Sequence, residues 1–329
     1  MRAIEAVAPG GPDVLHVTER PSPVPGAGEV LVDVAYAGVN FIDTYRRGGV
    51  YPTAFPHVPG SEGSGTVVAA GPDVVGVAPG DRVAWADAPA SYADQVLVRA
   101  ERTLPVPTGT DLATAAALAM QGLTAHYLAD STYPVGPGET ALVHAGAGGV
   151  GLLLTQLAVA RGAHVVTTVS SAAKAELSLH AGARAALRYD QLEDLTTDLP
   201  AAVRDLVPDG VHVVYDGVGR ATFDASLASL RPRGMLVLFG GSSGQVPPFD
   251  LQRLNAAGSL YVTRPTLGHY VATRDELLRR AEELHRAVAS GALDVRIGAT
   301  LPLEAAADAH RLLESRRTTG KVLLEVHRP

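Results

Sequence analysis

The chain has no cysteine among its 329 residues. Disulfides, thiolate catalysis and every zinc site built on sulfur are thereby excluded. Charge is sparse as well: 19% of residues are charged, against about 25% in ordinary domains, and the formal net charge is −7. No block of consecutive basic residues occurs, so binding to a nucleic-acid backbone, which needs a clustered basic face, is not the leading expectation. No uncharged apolar run reaches the roughly 18–20 residues that span a bilayer. The start, Met1-Arg2-Ala3-Ile4-Glu5, has no apolar leader segment, so a cytoplasmic protein is expected.

Apolar residues make up 47% of the sequence, enough to give each of two domains a core, and 35 glycines with 23 prolines imply many turns. As far as about Met120 the pattern is mostly β. Apolar residues alternate through Glu29-Val30-Leu31-Val32-Asp33-Val34 and Gly65-Thr66-Val67-Val68. Turn signals such as Pro21-Ser22-Pro23 and Pro79-Gly80-Asp81 punctuate them, which suggests a barrel-like β-domain. Ala113 to Met120 is helical, with Asp111 or Thr110 as cap. Beyond it, apolar strands at 140–145, 163–169, 211–215 and 235–239 alternate with helical stretches. That alternation implies parallel crossovers and a doubly wound sheet. A long amphipathic helix from Thr273 to Ser290, strands at 297–301 and 321–326, and a helix over 303–313 close the chain. Periodicity leaves open whether those last strands return to the first domain. No internal repeat is visible.

The strongest motif is Gly146-Ala147-Gly148-Gly149-Val150-Gly151, a full G-x-G-x-x-G directly after a strand and opening a helix. In that frame the first glycine permits a tight turn, the second lets the backbone approach a pyrophosphate, and the third packs helix on strand. The phosphates would rest on the helix N-terminus. A site for NAD usually ends the next strand with an acid that holds the ribose hydroxyls. Here the strand runs Thr167-Thr168-Val169-Ser170-Ser171-Ala172-Ala173-Lys174 without one. Ser170, Lys174 and, farther on, Tyr189 offer donors to a 2′-phosphate, so NADPH is the expected coenzyme. His126 and His144 lack a companion at metal spacing and read as structural histidines. His57 has no acid–base partner that the sequence identifies.

Several ordered segments carry a resemblance: Asn40-Phe41-Ile42-Asp43-Thr44-Tyr45, Pro59-Gly60-Ser61-Glu62-Gly63-Ser64-Gly65, Gln121-Gly122-Leu123-Thr124-Ala125, the glycine motif, Tyr215-Asp216-Gly217-Val218-Gly219, and Gly258-Ser259-Leu260-Tyr261-Val262-Thr263-Arg264-Pro265. Across essentially its whole length the chain resembles the medium-chain dehydrogenase/reductase superfamily, in its zinc-free, zeta-crystallin-like quinone oxidoreductase branch. The resemblance implies a Rossmann domain beside a discontinuous GroES-like β-barrel domain. Residues 1–121 and 266–329 would form the GroES-like part and residues 122–265 the NADPH-binding part. Zinc-bearing relatives have a cysteine near Asn40 and Gly-His-Glu where this chain has Gly60-Ser61-Glu62, so the zinc mechanism for alcohols is not expected.

By position, the resemblance puts Asn40, Phe41, Ile42, Asp43, Thr44 and Tyr45 beside the nicotinamide. Asn40 and Tyr45 would orient the acceptor, and Tyr51 would close over it. Gly146, Gly148, Gly149, Val150, Gly151, Ser170, Lys174 and Tyr189 would surround the phosphates and adenosine. Tyr127, Phe239, Gly240, Gly241, Ser242, Val262, Thr263, Arg264 and Lys321 would follow the rest of the coenzyme, with Arg264 and Lys321 as phosphate partners. Gly217 replaces a serine common in the family, and any side-chain contact there would be lost. The expected activity is metal-free, direct hydride transfer from NADPH to a quinone, in a dry cleft between the domains. An enoyl or alkenal reductase, and a crystallin-like or RNA-binding protein that merely holds NADPH, are the alternatives. A homodimer is expected, as is common in the family.

Overall fold

Val30, Val32, Val34 and Val39 favour an extended backbone in Glu29–Val39. Most of this strand is buried because it is paired along both edges. One edge takes Gly63–Ala70. The other takes Gln95–Arg99 against residues 29–33 and then Lys321–Glu325 against residues 36–39. The computed structural model describes residues 1–327. The chain divides into two compact units. One holds residues 1–123, 273–290 and 295 onward; the other holds residues 124–272 and 291–294.

In the first unit the paired strands form a seven-stranded, mainly antiparallel sheet. Its core includes Val32, Val34, Val67, Trp85, Val96 and Leu324. Three strand ends converge in it. Ala37 pairs with Gly63, and the Gly38 N–H donates to the Glu62 carbonyl, so Glu62 lies opposite Gly38. Val39 pairs with Val322, which brings Lys321 level with Asn40. Gly38 is required here: a Cβ on it would stand 2.2 Å from Glu62 Oε1. Asp111 is the cap of the Leu112–Tyr127 helix, since its Oδ1 accepts the Thr114 N–H at 2.7 Å. Thr273 caps Arg274–Ala289 in the same way. The helix expected over 303–313 starts with a tight turn, Leu303–Ala305, before Ala306–Glu314.

The second unit is built on six parallel strands. From one edge to the other they run Ala185–Arg188, His164–Val169, Thr140–Val143, Val211–Asp216, Leu230–Leu238 and Tyr261–Thr263. Counted along the chain this is the 3-2-1-4-5-6 order of a dinucleotide-binding sheet, whose ligands lie at the carboxyl ends of the strands where the order reverses. Thr140–Val143 is buried throughout, as expected of a central strand in a sheet covered on both faces. The fifth strand starts earlier than the apolar run at 235 suggested. Pro232 and Gly234 disguised it, and the backbone passes them with Arg233 at φ +61°.

Candidate active site

At the carboxyl end of Thr140–Val143 the chain turns through Ala145, at φ +53°, into Gly146 and the Gly149–Ala160 helix. The left-handed residue of the turn is therefore Ala145 rather than a glycine. Gly146 serves close packing instead: a Cβ there would lie 2.5 Å from Thr167 Cβ. Gly151 is held to the same standard, its Cβ position lying 2.4 Å from the Ala145 carbonyl oxygen. Gly148 is the N-cap, so the N–H groups of Gly149, Val150 and Gly151 open the helix without an acceptor one turn earlier. An anion is favoured there by both hydrogen bonding and the helix dipole.

The next strand ends at Val169, which is paired with Arg188, so Ser170 and Tyr189 follow side by side. Lys174 Nζ donates to Ser170 Oγ at 3.1 Å. Partial burial lowers the Lys174 pKa, and no acid stands among residues 167–175. Behind them His144 is buried, with Nδ1 2.8 Å from Thr168 Oγ1 and 2.9 Å from the Tyr189 hydroxyl. Its Nε2 lies 2.9 Å from Ser226 Oγ. The expected structural histidine is thus hydrogen-bonded at both ring nitrogens.

Asp216 organises the opposite side of the switch point. Its buried carboxylate accepts from Val218 N, Gly219 N, Thr222 Oγ1 and Ser226 Oγ at 2.7–2.9 Å. The Phe239 and Gly240 N–H groups donate to its carbonyl, and Ser242 N–H donates to Gly217 O. Phe239 to Ser242 are thereby strapped to the Gly217 turn. A Cβ on Gly217 would lie 2.9 Å from Phe239 Cζ, so the glycine makes room for this ring. Val262 and Thr263 belong to the exposed edge strand, with Arg264 just beyond it. Tyr127 is almost fully buried and stacks on Tyr270 at 4.4 Å, which leaves little of it to a ligand.

In the first unit Asn40 precedes the short Phe41–Arg47 helix. The Asp43 carboxylate caps it by accepting the Asn40 N–H at 2.9 Å. Asn40 Nδ2 donates to Glu62 Oε1, and Lys321 Nζ donates to both Asn40 Oδ1 and Glu62 Oε1. The Met120 N–H donates to Glu62 Oε2 at 2.8 Å. Lys321 and Glu62 are 1% and 0% exposed, which makes them a buried ion pair. This corrects the phosphate-partner role expected of Lys321: its ammonium is turned inward. Asp43 and Thr44 also face inward, Thr44 Oγ1 donating to the Phe41 carbonyl. Any contact they make with a ligand would come from the backbone. Phe41, Ile42 and Tyr45 remain half-buried. The Tyr45 ring meets Tyr51 edge-on at 5.7 Å and Phe41 at 6.2 Å.

Burial raises the Asp43 pKa to about 6, against the opposing pull of its hydrogen bond from Asn40 and of Lys321. Tyr92, hydrogen-bonded to Asp43, is pushed well above the usual phenol range, mainly by burial. Among the described residues no group of three or more histidines and acids is placed to hold a metal. Sequence reasoning missed Thr168, Asp216 and Glu62 as site builders. The last two lie inside recognisable motifs; Thr168 is distinguished only by what folds against it.

Comparison with known proteins agrees with this geometry. Residues 26–130 match the family model of the alcohol dehydrogenase GroES-like domain. Residues 149–283 match the zinc-binding dehydrogenase model. A quinone oxidoreductase of Pseudomonas aeruginosa is 42% identical over 327 residues, covering 98% of this chain and 99% of the relative. A mycobacterial protein solved in complex with NADPH is 51% identical with a TM-score of 0.96, covering 99% of this chain and 100% of that one. The Escherichia coli quinone oxidoreductase solved with NADPH is 39% identical, with a TM-score of 0.95 and the same coverage.

Two outcomes are expected from the buried charges. Replacing Lys321 with Met strands the Glu62 carboxylate and should cost about 3–5 kcal/mol in chemical denaturation. Adding Glu62→Gln should recover most of that loss; a single variant that loses nothing would contradict the role of the pair. For Asp43 the sign is the reverse of an ordinary ion-paired acid. Its native pKa is raised from 3.8 to about 6, so between those values the folded state holds the extra proton and its stability falls as pH rises. Asp43→Asn should remove this part of the slope when unfolding is followed across that window. An unchanged slope would contradict the assignment.

Proposed function

The chain belongs to the zinc-independent quinone oxidoreductases of the medium-chain dehydrogenase/reductase superfamily, and on that footing we propose how its residues reduce a quinone with NADPH. The observation that carries the reading is the glycine turn: Gly146 and Gly151 have no room for a Cβ, and a helix N-terminus stands above them. A pyrophosphate fits that cradle. Gly149, Val150 and Gly151 hold it through backbone N–H groups. Ser170, Lys174 and Tyr189 take the additional phosphate that distinguishes NADPH from NADH. Gly240, Gly241 and Ser242, strapped to the Gly217 turn, support the remainder of the dinucleotide. When bound, NADPH supplies a hydride from its nicotinamide ring.

Asn40 and Tyr45 orient the acceptor. The amide of Asn40 is fixed by Glu62 and Lys321, so it meets an incoming carbonyl in one orientation at little entropic cost. The Tyr45 hydroxyl hydrogen-bonds the quinone oxygen, and the proton that completes the hydroquinone comes through it or from water. Tyr51, packed on Tyr45, excludes solvent. A quinone needs only an electron-poor ring in place, which agrees with a site that has no acid–base dyad.

We further read the protein as a cytoplasmic homodimer. Tyr261–Thr263 is an unpaired sheet edge with Tyr261 57% exposed, which suits strand pairing with a second copy. A monomer in size-exclusion chromatography would contradict that reading. No helix among the described residues is long and apolar enough to cross a membrane.

The activity is tested by NADPH oxidation with benzoquinone or phenanthrenequinone against a crotonyl thioester and alkenals. Turnover is expected with the quinones, and turnover of alkenals alone would overturn the assignment. In the same assay Lys174→Ala should raise the NADPH requirement about tenfold, the worth of one charge-assisted hydrogen bond. The NADH requirement should not move, and equal loss for both coenzymes would contradict the phosphate role of Lys174.

A further inference from the structure

The Phe41–Arg47 helix ends on two arginines whose charges are met differently. Arg47 is buried and paired, its Nη2 donating to Glu314 at 2.5 Å and its Nε to the Gly10 carbonyl at 3.0 Å. Arg46 is half-buried, and among the described residues its one hydrogen bond runs from Nη1 to Ser61 Oγ at 2.6 Å. Asp43 feels the Arg46 charge through space. That carboxylate, however, takes the Asn40 N–H and the Tyr92 hydroxyl and no bond from Arg46. A guanidinium carries several N–H donors, so most of this one is left open.

Two further groups in the same region are unfilled. Ser61 is 5% exposed. Its oxygen accepts from Arg46, since a guanidinium has nothing to accept with, and its own proton meets no acceptor among the described residues. His57 Nε2 is buried without a partner. Burial first, and then the Arg46 charge, lower the His57 pKa, so the ring is neutral near pH 7. The cluster thus offers a positive charge and free donors with no bonded anion of the protein to receive them. A carboxylate is the complement, with the opposite charge and lone pairs only. A neutral group would leave the charge uncompensated in a partly desolvated place. The cluster also adjoins the acceptor end: Arg46 follows Tyr45 on the helix, and Ser61 precedes Glu62, whose Oε1 holds the amide of Asn40.

We propose that Arg46 and Ser61, with His57 in reach of the same charge, form a subsite for an anionic substituent of the acceptor, so that the preferred acceptor is a quinone bearing a carboxylate or similar acid group. Arg46 supplies the charge, and Ser61 fixes the guanidinium and adds its own proton. The inference rests on the reading above that Asn40 and Tyr45 orient a quinone.

The test compares KM for naphthoquinone sulfonate with KM for unsubstituted naphthoquinone, with NADPH in excess. Arg46→Gln should raise the sulfonate KM about tenfold relative to that of the neutral quinone, the worth of one charge-assisted hydrogen bond. Arg46→Lys keeps the charge and should recover part of that loss. Ser61→Ala keeps the charge but releases the guanidinium, and should move the ratio the same way by less. Added salt should narrow the preference of the parent and leave that of Arg46→Gln unmoved. A KM ratio that does not respond to Arg46→Gln would overturn the proposal. So would an Arg46 effect with none from Ser61, which leaves only long-range attraction. Fluorescence titration with NADPH reports an intact fold in each variant, and a loss confined to NADPH would assign the guanidinium to the coenzyme and overturn the proposal too. If the parent reduces neither quinone, the quinone reading falls and the proposal with it. If it reduces both and the ratio ignores Arg46, the quinone reading stands and only the proposal fails.

Discussion

The ion pair between Lys321 and Glu62 is the contact on which the geometry around Asn40 depends. Two charges removed from water are tolerable only with close geometry and every remaining lone pair satisfied. Asn40 and the Met120 N–H complete that set. The arrangement demands a fixed register among three strand ends: the Lys321–Glu325 strand cannot slip on Glu29–Val39 without stranding a charge. It also demands the missing side chain of Gly38. In exchange, the amide of Asn40 is locked at the start of the helix that carries Tyr45. A stretch that composition marks as turn-rich is thereby made rigid.

The nucleotide-binding unit solves a similar problem with hydroxyls. Asp216 is buried with four donors upon it, so its charge is compensated by hydrogen bonds alone. Through Ser226 this carboxylate is linked to His144, whose other ring nitrogen meets Thr168 and Tyr189. Low dielectric makes each misplaced proton in such a network costly. The glycines at 146, 151, 217 and 240 serve the same economy of space, admitting a neighbour where a methyl group would collide.

Much of this was legible beforehand. The G-x-G-x-x-G after a buried strand, the absence of an acid on the following strand and the lack of cysteine are local facts, and they lead to a metal-free, NADPH-using, doubly wound domain. The strand–helix alternation gave the class of sheet because periodicity depends on neighbours in sequence. What failed was also instructive. Lys321 looked like a free cation because nothing adjacent to it hints at Glu62. The tight turn expected at Gly146 takes its left-handed residue from Ala145, which no glycine pattern marks. Pro232 and Gly234 hid the beginning of a central strand.

The sequence by itself determined the chemistry on offer: which donors, charges and small residues exist, and which metal and thiol routes do not. Only the tertiary structure decided which of those groups face a ligand and which face one another. The physical reason is that hydrogen bonds and ion pairs are settled by distance and burial, and the partners that matter here, Asn40 with Lys321 or His144 with Ser226, lie 281 and 82 residues apart in the chain.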